Sequence, residues 1–246
     1  AGKGAIVTGA RDNMGRAFAV ALARMGANVV VHHHTPSSLS AARETAKLVE
    51  AEGVKAVIVD GDLGDVANVK RLYDAAQSNF GSIDVVVNNA GYIVKKPFAE
   101  LTDEDFELSV AVNTRGLFYS MREAARRIAN NGRIINIGTS LLAGAAPGYT
   151  AYAGTKAAVE EFTRILAKEI GERGVTVNVV APGPVDTPFY HGQETPQSVA
   201  YAKSLSVAKR LGEVQDIVPL VEWLASPGSQ WVTGQTLWIN GGYLTR

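Results

Sequence analysis

The 246-residue chain contains no cysteine, which removes disulfides, thiolate nucleophiles and cysteine-based metal sites together. It has no net charge: 24 Lys and Arg balance 24 Asp and Glu. Without a basic field there is nothing to gather a nucleic-acid backbone, and no acidic tail to repel one, so nucleic acid is not an expected partner. No apolar run reaches the roughly 20 residues a membrane span requires. A glycine-bearing loop begins at Thr8, so no secretory leader is expected ahead of it. The expectation is a soluble, cytoplasmic protein with no membrane partner. Linkers, low-complexity segments and internal repeats are also missing, which leaves one domain over residues 1–246.

What is present is an alternation. Short β-branched runs at Ala5–Thr8, Asn28–Val31, Ala56–Val59, Val85–Val87, Arg133–Ile137, Val175–Val180 and Thr236–Ile239 are separated by Ala-rich helical stretches. These runs are apolar at consecutive positions, as befits strands covered by helices on both faces. The reading is a doubly wound α/β fold with seven strands in a mostly parallel sheet. Only about Thr187–Leu211 lacks sheet character. It follows the sixth strand and carries Phe189, Tyr190, His191 and Tyr201, so it is the candidate lid at the carboxyl edge of the sheet, where such folds bind ligands.

Two motifs carry chemistry in their own residue types. The first strand runs into Thr8-Gly9-Ala10-Arg11-Asp12-Asn13-Met14-Gly15 and then a helix. A tight turn there aims backbone N–H groups and a helix N-terminus at a pyrophosphate; a glycine-containing turn with no ligand is the alternative. The second motif, Tyr152-Ala153-Gly154-Thr155-Lys156, opens a helix and sets Tyr152 and Lys156 on one face. A phenol can give a proton to an oxygen on which charge develops, and a nearby ammonium would favour the phenolate. By itself the pair is also what any exposed amphipathic helix could show. The second strand ends His32-His33-His34-Thr35-Pro36-Ser37-Ser38 without a carboxylate. A carboxylate there would bind ribose hydroxyls and repel a 2′-phosphate. His33, His34, Thr35 and the serines could instead donate to a phosphate, with Arg11 as a neighbouring cation, so NADP(H) is favoured over NAD(H). Two imidazoles on one strand face make a poor metal site, and no metal is expected.

Taken together, these motifs resemble the short-chain dehydrogenase/reductase family, a Rossmann fold, and in particular its 3-oxoacyl-carrier-protein reductase and carbonyl reductase branch. The turn matches Thr-Gly-x-x-x-Gly-x-Gly except that Asn13 replaces the middle glycine, and Asp12 stands where NADP-preferring members often carry a basic residue. Asparagine visits left-handed backbone conformations cheaply, so the turn can survive the change. The resemblance implies that Asp62 and Leu63 contact adenine, although Asp62 could instead cap the next helix. It implies that Asn88-Asn89-Ala90-Gly91 ties strands together beside the cofactor ribose, and that Lys156 also reaches the nicotinamide ribose. Asn113 would help hold a water that relays protons to Lys156. Pro182, Gly183, Val185 and Thr187 would orient the carboxamide end. The family serine, 13 positions before the tyrosine, falls on Thr139, with Ser140 as the competing hydroxyl.

The implied activity is hydride transfer between NADP(H) and a small carbonyl or alcohol substrate, in a homotetramer. Trp231, Trp238, Tyr243 and Leu244 would then belong to core or subunit interface. Two rivals stand beside this: an NAD-dependent alcohol dehydrogenase of the same family, and a catalytically quiet nucleotide-sensing protein on the same fold.

Overall fold

In the computed structural model, which describes residues 2–245, seven strands form one parallel sheet in the order β3-β2-β1-β4-β5-β6-β7. These are β1 (Gly4–Val7), β2 (Asn28–His33), β3 (Ala56–Asp60), β4 (Val85–Asn88), β5 (Arg133–Ile137), β6 (Thr176–Pro182) and β7 (Thr236–Ile239). The registers are parallel throughout, for example Ile6 opposite Val30 on one side and Val86 on the other.

Period-two alternation divides the inner strands between two cores. Val7, Val31, Val87 and Ile137 face one core, which contains Phe18 and Leu22 of α1 (Asn13–Arg24), Val49 of α2 (Leu39–Glu50) and Leu224 of a C-terminal helix at Val214–Ala225. Ile6, Val30, Val86 and Ile134 face the other, with Leu72 and Tyr73 of α3 (Val66–Phe80), Met121 of an Leu117–Arg127 helix and Leu166 of a Thr150–Glu169 helix. Burial on both faces explains why the strands read as continuous apolar runs.

Chain direction reverses its lateral progress between β1 and β4, and this switch point opens a crevice at the strands' carboxyl ends. Several strands run further towards it than the apolar pattern indicates. β2 continues through His33, β4 through Asn88 and β6 through Pro182, because their ends are paired in the ladder. Beyond β4, α4 (Asp103–Ser109) passes through a π-helical turn, Val110–Gly116, into α5 (Leu117–Arg127). A short α6 (Leu141–Gly144) precedes α7 (Thr150–Glu169). The segment expected to lack strands holds two helices, α8 (Pro188–His191) and α9 (Pro196–Leu205). Thr195 and Ser198 form a capping box on α9 with Pro196 in its first turn, a start signal present in the sequence. The helix at Val214–Ala225 is α10.

Candidate active site

A cavity of about 950 Å³ runs along the crevice from the β1–α1 turn to the α8–α9 segment. At its first end Gly9 (φ +62°) and Asn13 (φ +47°) both take left-handed backbone. The asparagine substitution is therefore accommodated in the manner its side chain permits. A Cβ on Gly15 would meet the Gly9 carbonyl at 2.0 Å, so only glycine fits where α1 crosses the end of β1. Thr8 accepts from the backbone N–H groups of Asn89 and Ala90 at 2.9 and 3.0 Å, and the Asn89 amide donates to the Thr8 and Gly9 carbonyls at 3.1 Å each. The turn is thereby stitched to the end of β4.

His32 makes a further tie. Its Nδ1 accepts the Gly9 N–H at 3.1 Å, and its Nε2 lies 2.9 Å from the Gly61 carbonyl. A carbonyl only accepts, so Nε2 carries the proton and the ring is neutral. Burial agrees, pulling its pKa down to about 4. This bond takes the Gly9 N–H out of play. The donors that remain for a phosphate lie at Asn13, Met14 and Gly15, in the first turn of α1, whose Asp12 makes no side-chain cap. An uncapped helix N-terminus facing a cavity fits a pyrophosphate.

The corner after β2 is different from the sequence expectation. His33 Nδ1 lies 2.9 Å from the Thr35 carbonyl, and Ser38, buried, donates to the same carbonyl at 2.7 Å. The His33 donor and the Ser38 hydroxyl are thus spent building the turn. Donors for a 2′-phosphate fall instead to exposed His34, to Thr35 with its 2.8 Å neighbour Ser37, and to Arg11. Arg11 lines the cavity and meets Asp12 through Nε at 3.1 Å. No carboxylate stands in the corner itself, so the residues fit a phosphate there. Asp62 also departs from one reading: its Oδ1 accepts the Gly64 N–H at 2.8 Å, while Asp65 caps α3 by accepting from Ala67. Asp62 and Leu63 both line the cavity.

At the centre, Tyr152 and Lys156 lie on the buried face of α7. The exposed amphipathic alternative is excluded: they are 8% and 4% exposed. Lys156 Nζ donates to the Ile137 carbonyl at 2.9 Å, and burial lowers its pKa to about 8. At Tyr152 burial is the dominant effect on the phenol. Burial pushes its pKa up to about 12, against the smaller opposing effect of the Thr139 hydroxyl. A buried phenol keeps its proton, the state an acid must start from.

Thr139 and Ser140 separate cleanly. Thr139 is the hydroxyl at Tyr152, whereas Ser140 donates to the Pro182 carbonyl at 2.7 Å and is 1% exposed. Ser140 therefore ties the end of β5 to β6, while both hydroxyl residues line the cavity.

Asn113 explains the π-helical turn. Its Oδ1 accepts the Tyr92 N–H at 2.8 Å, and its amide donates to the Tyr92 carbonyl at 2.8 Å and to Thr155 Oγ1 at 3.0 Å. A cavity of about 10 Å³ between Asn113 and Lys156, lined also by Thr8, Asn88 and Ser120, is about the size one water needs. Gly91 sits against both, with room for a Cβ 3.5 Å from Lys156 Nζ. Pro182, Gly183 and Val185 line the far wall. Thr187 lines it too, but its hydroxyl caps α8 by accepting from Tyr190 and donates to the Val185 carbonyl at 3.3 Å.

Sequence reasoning left His32 out of the site because its partners are backbone groups 23 and 29 residues away. It also missed Lys95, Tyr149 and Glu194, which line the cavity beyond Tyr152.

A doubly wound sheet with an uncapped helix at its switch point, and a buried Tyr–Lys pair in the same crevice, defines an oxidoreductase on a Rossmann fold. A family model described as enoyl-(acyl carrier protein) reductase matches residues 9–244. The chain is 40% identical to a short-chain type dehydrogenase/reductase from Picea abies, over 98% of this chain and 92% of the relative. It is 38% identical to an NADPH-dependent aldehyde reductase-like chloroplastic protein of Arabidopsis thaliana, over 99% and 95%. A putative dehydrogenase from Burkholderia cenocepacia, solved with bound NADP, superposes with a TM-score of 0.96 at 39% identity, covering 99% of this chain and 94% of that one. The chain belongs to the short-chain dehydrogenase/reductase family.

Proposed function

We propose that the protein is an NADPH-dependent reductase of ketones or aldehydes, with Tyr152 as proton donor. The observation that carries this is the burial of Tyr152, Lys156 and Thr139 in the cavity that opens onto the N-terminus of α1. The NADP bound in the Burkholderia structure and the NADPH-dependence in the Arabidopsis relative's name support the cofactor, as does the carboxylate-free corner after β2.

The first turn of α1 would hold the pyrophosphate, with Gly9 and Gly15 allowing close approach and Asn13 shaping the turn. His34, Thr35 and Arg11 would hold the 2′-phosphate, and Asp62 with Leu63 the adenine. Asn89, Ala90 and Gly91 would flank the ribose, and Pro182, Gly183, Val185 and Thr187 the nicotinamide end. Bound NADPH supplies the hydride. The chain's own task is then to stabilise charge on the substrate oxygen. Thr139 donates a hydrogen bond to that oxygen, Tyr152 gives it a proton, and the Lys156 ammonium favours the phenolate left behind. Asn113 and the small polar cavity beside it connect Lys156 to the source that reloads the proton. A homotetramer is proposed as the working assembly.

The test is consumption of NADPH and NADH by purified protein across ketones, aldehydes and β-keto esters, with Tyr152→Phe alongside. NADPH-dependent turnover that vanishes in the variant, while cofactor binding persists, is the expected result. Faster NADH turnover would favour an NAD-dependent alcohol dehydrogenase, and binding without turnover a nucleotide sensor.

A further inference from the structure

Past Tyr152 the cavity is walled by rings, among them Tyr149, Phe189, Tyr190, Tyr201 and Tyr243. The Tyr152 ring meets Tyr149 at 6.3 Å and Phe189 at 6.5 Å between centroids. Of the charged side chains lining the cavity, Arg11, Asp12 and Asp62 follow β1 and β3 at the nucleotide end, and Lys156 lies beside Tyr152 on α7. Lys95 and Glu194 remain at the substrate end.

These two are joined. Lys95 Nζ lies 2.7 Å from Glu194 Oε2, and the Glu194 side chain is only 2% exposed. The Tyr149 hydroxyl donates to Oε1 of the same carboxylate. The Lys95 ammonium has a second contact, 5.0 Å from the centre of the Tyr149 ring, while its backbone N–H donates to the Gln193 side chain at 3.2 Å. The cation would therefore stay at the pocket wall if the carboxylate lost its charge.

We propose that Glu194 sets the substrate charge the site accepts: by neutralising Lys95 it reserves the pocket for uncharged carbonyl compounds. The proposal rests on the reading that this cavity takes a carbonyl substrate. An anionic substrate meets a paired cation and a buried carboxylate, so Lys95 gives it no net attraction. Specificity here comes from a repulsive element as much as from the aromatic walls. A substrate of this class is a ketone or aldehyde with a planar or apolar group and no carboxylate or phosphate near the reacting carbon.

The alternative is that Glu194 only fastens the α8–α9 segment to the body of the fold. Loss of a fastening weakens all ligands alike, whereas loss of a charge filter separates charged from uncharged ones. The experiment uses phenylglyoxylate and its methyl ester, which share a ring and a ketone and differ by one negative charge. Their dissociation constants are measured on protein saturated with NADP+, which cannot reduce them, so binding is read without turnover. The ester should bind wild-type protein at least tenfold more tightly than the acid. Glu194→Gln keeps an acceptor for Tyr149 and removes the charge, and it should shift that ratio at least tenfold towards the acid. Adding Lys95→Met to it should return the ratio towards wild type. Equal change for both probes in Glu194→Gln, equal binding by the wild type, or binding of neither probe, would overturn the proposal. Failure of the wild type to reduce the ester with NADPH, with the binding ratios as expected, would instead count against the reductase reading alone.

Discussion

Tyr152 and Lys156 have opposite responses to the same burial. A phenol is neutral when protonated, so desolvation raises its pKa to about 12; an ammonium is charged when protonated, so desolvation lowers its pKa to about 8. Tyr152 therefore carries its proton at every pH a rate assay uses, and its removal should be felt in turnover. Tyr152→Phe should reduce kcat by about 10²–10⁴-fold, the usual worth of a positioned acid, and leave NADPH affinity, measured by fluorescence titration, nearly unchanged. A variant with wild-type kcat would sink the assignment. Lys156 gives the pH dependence. Its ammonium, present below its pKa, is what favours the phenolate, so kcat/KM for reduction should be level at neutral pH and fall tenfold per unit above about 8. A profile flat to pH 10 would mean that the charge on Lys156 is not used. The pairing of Tyr152 with Lys156 was legible from a spacing of four residues. The direction of the Tyr152 shift was not, because burial depends on the helices and loops that close over it.

Between elements, legibility followed the range of the interaction. All seven strands could be read because double-sided burial writes them as local apolar runs, and Asn13 could be read because its constraint is its own backbone angle. The π-helical turn could not, since Asn113 reaches Tyr92 and Thr155, residues 21 and 42 positions away. The buried chain from Tyr73 through Ser120 and Asn88 to Asn136 and Thr163 likewise joins helices and strands far apart in sequence. His32 is the case with a measurable consequence, because it locks the β1–α1 turn to β2 and to Gly61 beyond β3. Its pKa is about 4 folded against 6.5 unfolded, so between those values the unfolded chain binds the extra proton. Its contribution is whole above about pH 6.5 and is lost as pH falls to about 4, up to roughly 3 kcal/mol. Thermal melts over that range should show a smaller fall in Tm for His32→Gln than for wild type, though the variant starts lower for want of a hydrogen bond. Parallel slopes would show that His32 does not titrate with unfolding.

At the scale of the whole molecule, a tetramer with two-fold symmetries needs two separate self-complementary surfaces. Two exposed apolar surfaces are the candidates for the proposed tetramer. On one, Phe118 of α5 packs against Phe162 of α7 at 6.0 Å, and Phe118 and Ile165 remain 43% and 53% exposed. Arg122 stacks over Phe118 and Tyr119, yet its Nε is buried without a hydrogen-bond partner, as is Oε1 of Glu160 on α7. A second copy laid on this face would cover the exposed rings. The other surface lies at β7, the last strand in the sheet order, whose four residues are all half-buried, with Trp231 98% exposed ahead of it. Trp231 is thus not core, one of the two places the sequence left open for it, and a large ring in solvent at the margin of the sheet suits an interface. Light scattering on the purified protein should give four chains per particle. Phe118→Glu combined with Ile165→Glu places charge on the helical face only, so it should yield dimers held through the β7 edge. Monomeric wild-type protein would remove the assembly from the proposal, and a tetramer that survives both substitutions would move the interface away from α5 and α7.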